Sequence, residues 1–246
     1  MASYGENTLV RGLSFLADKQ AAIANNLANV DTTSFKRRSA LAREASDTFH
    51  SMLDRQLTAV DYVEQNDMQR GILRETGNRF DVAIDGQGWL RVQNSQGQRF
   101  YTRNGQLQLG TDGKLLTRNG LSVLDQGGQP ITIGGGEETP GEITFSPNGT
   151  ITDPASGQTF GTVALVRLDD EQALIPVGSS LYLDPTNQRG AQIGDGVQQG
   201  FLEGSNVESM QELVQMIAVE RSFSATQKAL SGLGRLQENL VTNILR

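Results

Sequence analysis

The sequence contains no cysteine and only one histidine, His50, among its 246 residues. Without cysteine the chain cannot form a disulfide, a thiolate metal site or a cysteine nucleophile. A multi-histidine metal site needs more than one histidine, and a serine–histidine–aspartate triad would have to use His50. These absences exclude many of the common catalytic classes.

The chain also lacks an excess of positive charge and a long apolar run. Its formal net charge is −7, whereas a nucleic-acid surface or a polybasic membrane anchor needs a surplus of lysine and arginine. No stretch approaches the roughly 20 apolar residues that a membrane-spanning helix requires. The N-terminal residues lack the unbroken apolar core of a secretion signal. We therefore expect no nucleic-acid partner, no membrane span and no cleaved signal.

Apolar residues near the N-terminus recur with the period of a coiled coil. They follow one another in steps of four and three, with Gln20 at one position of the series; the apolar members are Leu9, Leu13, Leu16, Ile23, Leu27 and Val30. This is the a/d pattern of a helix that packs against a partner helix. A helix lying on its own domain's core usually has a wider apolar stripe. We therefore predict a coiled-coil or helix-bundle seam.

The C-terminal segment predicts a second amphipathic helix over about 206–245. One apolar stripe begins it, and another lies near the end; they comprise Val207, Met210, Val214 and Ile217, then Leu230, Leu233, Leu236, Leu240 and Ile244. Isolated helices gain most of their stability by packing an apolar face. Both terminal helices are therefore expected to need partners.

The middle of the chain is typical of short β-strands. Six Asn-Gly or Asp-Gly pairs lie between residues 78 and 200, and such pairs suit the positive φ angles of tight hairpin turns. We predict an α+β protein with an N-terminal helix (1–33), an extended arm or accessory hairpin (34–75), a central all-β domain (76–204) and a C-terminal helix (205–246). The two helices are expected to pair as a coiled-coil-like bundle.

Few polar groups resemble a ligand site. Residues 85–88 are rich in glycine but lack the lysine of a phosphate-binding loop. The acidic run 169–171 lacks the spacing of a calcium loop, and Asp81 with Asp85 is not accompanied by anything resembling a sugar cleft. We interpret His50 as a solvated residue. The prediction is no catalytic, cofactor-binding or metal-binding residue.

Three asparagines near the end of the first predicted helix are harder to explain. Asn25, Asn26 and Asn29 lie within about one and a half turns, although asparagine is a poor helix former. On the heptad they lie outside the a/d seam. Amides in such positions are useful where another chain, or a returning segment, hydrogen-bonds them. We therefore place them in an assembly interface together with the apolar a/d residues of the first helix. The second helix is predicted to contribute Val214, Ile217, Leu230, Leu233, Leu236, Leu240 and Ile244 to it.

Several segments resemble the bacterial flagellar axial proteins, the rod and hook proteins. The first resembles their N-terminal signature, the next two their entry into the β domain, and the last the start of their C-terminal helix. The matching residues are Asn25, Asn26, Leu27, Asn29, Phe35 and Lys36; Asp81, Gly86 and Gly88; Tyr101, Arg103 and Gly105; and Leu202, Glu203, Ser205, Asn206, Val207 and Arg221. The family usually has glycine where this chain has Ser34.

The resemblance implies a structural subunit of the flagellar basal-body rod. Such a subunit is exported through the flagellar type III apparatus to the periplasm and assembles with its own copies and other rod proteins, by coupled folding of its terminal helices, into a helical tube that transmits torque. No enzyme activity and no cofactor are expected. The proximal-rod type is favoured, because residues 166–174 lack the Phe-x-Asn-Pro-x-Gly-Leu stretch usual in the distal type. The alternatives are a distal-rod or hook-type protein and, from another class, a secreted β-rich polysaccharide-active enzyme with oligomerisation helices.

Overall fold

The computed structural model describes residues 4–44, 60–134, 142–188 and 190–244, without the side chains of a few residues in helices and strands. The chain divides into two compact units. The helical unit comprises Met1–Val30, Arg37–Asp67 and Val207–Arg246, and the β unit comprises Asp31–Lys36 and Met68–Asn206. These divisions differ from the predicted ones at 33, 75 and 204. The predicted α+β class is confirmed.

The helical unit contains two long helices and one strand pair. Helix α1 spans Tyr4–Ala28 and α2 spans Ser209–Ile244, and the two helices pack against each other. Strands β1 (Arg38–Glu44) and β2 (Val60–Asn66) are antiparallel, and β1 also contacts α1. The segment predicted as an arm or accessory hairpin thus contains two paired strands.

In its first half, helix α2 buries a different stripe from the apolar one that the sequence suggests, whereas Leu230 and Leu233 of the predicted stripe are half-buried. Glu212 is fully buried and Val219 is 4% exposed, and the half-buried positions on the same side continue in steps of four and three through Met216, Phe223, Thr226, Leu230 and Leu233. Val214 and Ile217 are instead exposed. The buried stripe accommodates Glu212 because residues outside the helix neutralise it.

The β unit is built from short antiparallel strands. They are β3 Leu73–Glu75, β4 Val82–Ile84, β5 Trp89–Gln93, β6 Arg99–Thr102, β7 Leu107–Leu109, β8 Leu115–Thr117, β9 Ser122–Val123, β10 Thr144–Phe145, β11 Thr150–Thr152, β12 Thr159–Thr162, β13 Leu165–Arg167, β14 Ile175–Gly178, β15 Leu181–Leu183, β16 Ala191–Gln192, β17 Val197–Gln199 and β18 Phe201–Glu203. A short 3₁₀ turn covers Glu171–Ala173. The largest sheet has nine strands, with the path β14-β15-β6-β5-β9-β8-β7 and with β13 and β16 attached at β5.

Side chains alternate between two apolar clusters across the largest sheet. On β5, Leu90 and Val92 enter the larger cluster, whereas Trp89 enters a smaller one. The Trp89 ring packs edge-on against Tyr182, with 5.0 Å between ring centroids. Strand β5 is therefore buried on both faces, as its apolar sequence requires.

Five of the six predicted turn glycines have the positive φ that the turns require. Gly113, Gly120 and Gly149 connect strands β7–β8, β8–β9 and β10–β11, with φ of 73°, 79° and 82°. Gly105 is the exception, and the prediction that it is a turn residue with positive φ is wrong. A Cβ there would lie 1.7 Å from the carbonyl oxygen of Val82, so Gly105 is needed for close backbone approach.

Among the described residues, none of the helices is both long and apolar enough to cross a membrane.

We expect Gly105→Ala to destabilise the β unit by about 3 kcal/mol or more, because the new methyl group would overlap a backbone atom that cannot move aside. Gly194→Ala is the matched control, since a Cβ there meets nothing within 4 Å and should change stability by less than about 0.5 kcal/mol. Urea unfolding followed by fluorescence of Trp89, the single tryptophan, measures both. Equal midpoints for the two variants would contradict the packing argument.

Candidate functional site

Three residues from distant family-like segments meet in the interior of the β unit. Lys36 follows α1, Arg103 follows β6 and Glu203 ends β18. The Lys36 Nζ lies 2.8 Å from Glu203 Oε1, and the Arg103 Nε lies 2.7 Å from Glu203 Oε2. The side chains of Lys36 and Glu203 are fully buried, and that of Arg103 is 4% exposed. We call these three residues the ion network.

Backbone groups complete the coordination of Glu203 and Lys36. The Gly71 amide donates a hydrogen bond to Glu203 Oε1 at 3.1 Å, and the Lys36 ammonium also donates to the carbonyl of Gln69 at 2.6 Å. Both partners lie in the segment just before β3. A Cβ at Gly71 would lie 2.1 Å from the carbonyl oxygen of Gly204, so this approach to Glu203 is open only to glycine.

Arg103 explains why a glycine-rich turn precedes β5. Its guanidinium donates to the carbonyls of Gly88 at 2.7 Å, Gly86 at 2.9 Å and Ile84 at 3.2 Å, and it lies 5.9 Å from the Trp89 ring centroid. Arginine can satisfy several acceptors at once because its donors form a rigid planar fork. The turn at 85–88 therefore binds an arginine of its own chain.

Burial and charge act in opposite directions on the ion network. Burial lowers the pKa of Lys36 below its ordinary value, although Glu203 partly offsets the effect. For Glu203, burial alone would raise the pKa, but the charges of Arg103 and Lys36 outweigh it and hold the pKa below the usual range. Glu203 is therefore ionised at neutral pH, and one carboxylate compensates two cations.

Ser34 has the left-handed backbone conformation that ordinarily favours glycine. Its φ is 55°, a region that costs a non-glycine residue roughly 1 kcal/mol or more. Its hydroxyl donates to the carbonyl of Arg103 at 2.9 Å, and its amide donates to the carbonyl of Glu203 at 2.8 Å. These hydrogen bonds offset the strain and join the segment before Lys36 to its two partners.

Asn206 ties the end of the β unit to the same region. Its side chain donates to the Gln69 carbonyl at 3.0 Å, and its amide donates to the Phe35 carbonyl at 3.3 Å. Gln69 thus accepts from both Asn206 and Lys36. The remaining family-like residues Asp81, Tyr101, Leu202 and Val207 are buried, Ser205 is half-buried and Arg221 is exposed.

A second polar cluster lies in the helical unit, around Asn26. The Asn26 amide donates to the Arg38 carbonyl at 2.8 Å and to Glu212 Oε2 at 3.1 Å, and its Oδ1 accepts from the Arg38 amide at 2.8 Å. The Arg37 guanidinium pairs with the other oxygen of Glu212. Asn26 is fully buried, so its amide holds a returning segment of its own chain. A returning segment is one of the two possibilities, beside another chain, that the sequence left open for these amides.

The other two asparagines are more accessible. Asn25 is exposed, and Asn29 is half-buried and donates from its side chain to the Asn25 carbonyl at 2.8 Å. Asn29 therefore satisfies a backbone group at the end of α1, where carbonyls lack helical partners. A contact of Asn25 and Asn29 with another chain remains a prediction.

The predicted assembly residues fall into two groups by exposure. On α1, Ile23 is 3% exposed, while Leu9, Leu13, Leu16 and Leu27 are half-buried, as is Val30 just after the helix. On α2, Leu230 and Leu233 are half-buried, whereas Val214, Ile217 and Leu236 are 64%, 51% and 59% exposed. The side chains of Leu240 and Ile244 lie outside those described. Met210 and Leu213 are not part of the predicted assembly interface, yet both are exposed beside Val214 on α2.

The acidic residues considered as ligands in the sequence do not cluster in the described part of the chain. Within it, no group of three or more histidine, aspartate or glutamate residues could hold a metal ion. Asp85 pairs with Arg70 and accepts from Gln198, and Asp170 accepts from Gln172 at the 3₁₀ turn. His50 lies outside the described residues.

Comparison with known proteins gives matches over three ranges. A flagella basal body rod protein family matches residues 7–36, the D1 domain of the flagellar hook protein FlgE/F/G matches 83–153, and the flagellar basal body rod FlgEFG protein C-terminal family matches 198–242. Each range contributes one residue of the ion network: Lys36, Arg103 and Glu203. The network thus joins the three family segments.

Whole-chain relatives agree with these matches. The chain is 32% identical to the flagellar basal-body rod protein FlgF of Caulobacter vibrioides, over 97% of this chain and 98% of that protein. It is 32% identical to FlgF of Salmonella typhimurium over 92% of each chain, and 28% identical to the rod protein FlgG of Agrobacterium fabrum over 85% and 87%. The fold and the matched segments define a flagellar axial protein. The chain belongs to the family of flagellar basal-body rod proteins.

We expect Glu203→Gln to destabilise the β unit by about 3–5 kcal/mol, because it leaves two buried cations without a counter-charge. Lys36→Met should cost only about 1–2 kcal/mol, since the Arg103–Glu203 pair remains and only the hydrogen bonds of Lys36 are lost. Glu75→Gln, the same change at an exposed position, is the control. Urea unfolding measures all three, and equal losses for Glu203→Gln and Lys36→Met would contradict the asymmetry.

The lowered pKa of Glu203 predicts acid sensitivity. A carboxyl group whose pKa is lower in the folded state binds fewer protons there, so its contribution is present at neutral pH. It is lost as the pH falls from about 4.5, the ordinary value, through the folded-state pKa. Urea midpoints of the wild type and Glu203→Gln, measured between pH 7 and pH 3, should therefore converge on acidification. A constant difference would show that Glu203 keeps its ordinary pKa.

Proposed function

We propose that this chain is a structural subunit of the proximal rod of the bacterial flagellar basal body. Family membership over nearly the whole chain supports a structural role in the rod. The observation that carries the assembly part of the proposal is the exposed apolar surface of α2, formed by Met210, Leu213, Val214 and Ile217. A soluble monomer rarely leaves such a contiguous helical surface open, so it is expected to be covered on assembly.

The terminal helices form the inner layer of the assembled rod as a coiled-coil-like bundle. The a/d positions of α1 and the half-buried stripe of α2 support this arrangement, since the two helices pack together and leave further apolar area for neighbouring chains. Packing with those neighbours offsets the entropy of ordering the helical ends. Folding of the helices is therefore coupled to assembly.

The β unit provides the stiff outer part of the subunit. Both carboxylate oxygens of Glu203 in its buried ion network accept hydrogen bonds, which supports a unit that keeps its shape under load. A subunit with such a core transmits torque from one layer to the next. We propose no catalytic activity and no cofactor, in keeping with the structural nature of the family.

The subunit reaches the periplasm through the flagellar type III export apparatus and assembles there with its own copies and with other rod proteins. The proximal type is preferred over the distal or hook type for two reasons. The chain is 32% identical to FlgF of Caulobacter vibrioides over 98% of that protein, and 28% identical to FlgG of Agrobacterium fabrum over 87% of that protein. Residues 166–174 also lack the stretch usual in distal-rod members.

Deletion of the gene in the bacterium that encodes this chain tests the proposal. Electron microscopy of isolated basal bodies should show rods that stop short, and the cells should not swim; a wild-type copy should restore both. Complete rods and hooks without this chain would overturn the assignment to the proximal rod.

Leu13→Asp should abolish rod assembly while leaving the β unit folded. The new carboxylate would lie in the half-buried seam of α1, where desolvating an unpaired charge costs several kcal/mol. Asn119→Asp adds the same charge in an exposed turn that aspartate also favours, so it should complement the deletion strain. Swimming and rod completion are the measurements, and normal rods with Leu13→Asp would disprove the seam.

A further inference from the structure

Helix α2 has apolar side chains on two opposite faces. Val219 and Phe223 belong to the buried stripe. Met210, Val214 and Ile217 are 72%, 64% and 51% exposed, and with Leu213 they form what we call the apolar stripe. Residues 214 and 219 are five positions apart, so their faces differ by about 140° at 3.6 residues per turn. A helix that is apolar on both sides has two packing partners, and the described part of the chain provides α1 as one of them.

A groove suited to such a stripe lies elsewhere in the same helical unit. It has a volume of about 360 Å³ and is lined by residues of α1, β1 and β2. Three of its lining residues are alanines, Ala21 and Ala22 of α1 and Ala40 of β1. Their short side chains let bulky side chains of a partner approach the backbone closely. We call it the alanine groove.

The alanine groove is also lined by three charged residues, of which Arg38 and Glu64 pair with each other. Asp18 lines the alanine groove, and Arg221 lies one turn after Ile217, on the same side of α2 as the apolar stripe. Among the described residues, neither Asp18 nor Arg221 forms an ion pair. The two surfaces therefore match in side-chain size, where the alanines face bulky apolar side chains, and in charge at Asp18 and Arg221.

We propose that the apolar stripe of one copy docks into the alanine groove of a second copy of this chain, with Arg221 beside Asp18. The inference rests on the proposed rod function and specifies which surfaces meet. None of the stripe residues lines the groove, so the contact joins two different surfaces. Repetition of such a heterologous contact produces a ring or an open helix of subunits, and an open helix is what a rod requires.

The docking also gives Asn25 a role. Its exposed side chain lines the alanine groove, where the amide offers both a donor and an acceptor to an incoming helix. A poor helix former is then tolerated at this position because its side chain serves a partner.

Disulfide cross-linking between copies tests the contact directly, because the chain has no cysteine. Ala21→Cys and Val214→Cys are placed in separate copies of the chain and co-expressed in the deletion strain. Basal bodies are then isolated, oxidised and analysed without reductant. A disulfide forms only where Cα atoms approach within about 7 Å. We expect dimers in the mixed sample at ten or more times the level in either single variant.

Ser224→Cys replaces Val214→Cys in the control. It is exposed on α2, about 15 Å further along the helix and on a different side, and it should give no dimer with Ala21→Cys. Dimers from Val214→Cys alone would show that two apolar stripes pair with each other, which would overturn the docking. Absence of mixed dimers from basal bodies that contain both variant chains would overturn it as well. In the latter case the rod assignment stands, whereas absence of the wild-type chain from basal bodies refutes the proposed function itself.

Charge reversal provides a second measurement that does not depend on cysteine. Asp18→Lys and Arg221→Glu should each lower the amount of chain in isolated basal bodies at least threefold. The double variant should recover most of the wild-type amount, because the pair is restored in the opposite sense. If isolated basal bodies contain no more of the double variant than of the less abundant single variant, the pairing of Arg221 with Asp18 is wrong, and the proposed docking with it.

Discussion

The β unit depends on a single buried carboxylate. Glu203 is the counter-charge of both Lys36 and Arg103, and the glycine at position 71 lets a backbone amide reach the oxygen that also binds Lys36. Removing two cations from water is costly, and the cost is repaid where geometry and hydrogen bonding are nearly complete. The turn at 85–88, the left-handed Ser34 and the segment before β3 all contribute backbone groups to this one arrangement. Their conformations are therefore consequences of the ion network.

The two units treat their polar and apolar groups differently. In the β unit the charged groups of the ion network are paired within the unit, and the large side chains Trp89, Leu90 and Leu165 are almost fully buried. In the helical unit, Asn26 and Glu212 are satisfied internally as well, but Met210 and Val214 remain exposed. A subunit that is rigid in one part and incomplete in the other suits a role in which neighbours supply the missing contacts.

The local sequence pattern predicts which helices and strands form better than it predicts which residues they contact. The terminal helices and the strands β5, β6 and β8 follow from periodicity and turn chemistry. The buried face of α2 does not, because Glu212 is acceptable there only through Arg37 and Asn26, which are distant in sequence. Gly105 likewise resembles a turn residue, and its close approach to Val82 has no local signature. The sequence shows that the family-like segments contain Lys36, Arg103 and Glu203. It does not show that these residues contact one another, because no sequence pattern links positions so far apart.

The ion network also constrains the order in which the chain can fold. Lys36 and Glu203 are 167 residues apart, and contacts of such long range must repay a large loss of chain entropy before they contribute. A ribosome releases Glu203 only after nearly all of the β unit has been synthesised. Until then Lys36 has no counter-charge, and the residues around it cannot pack in their final arrangement. The β unit is therefore expected to complete its folding only after synthesis, which gives any factor that binds the unfolded chain a substantial interval in which to act.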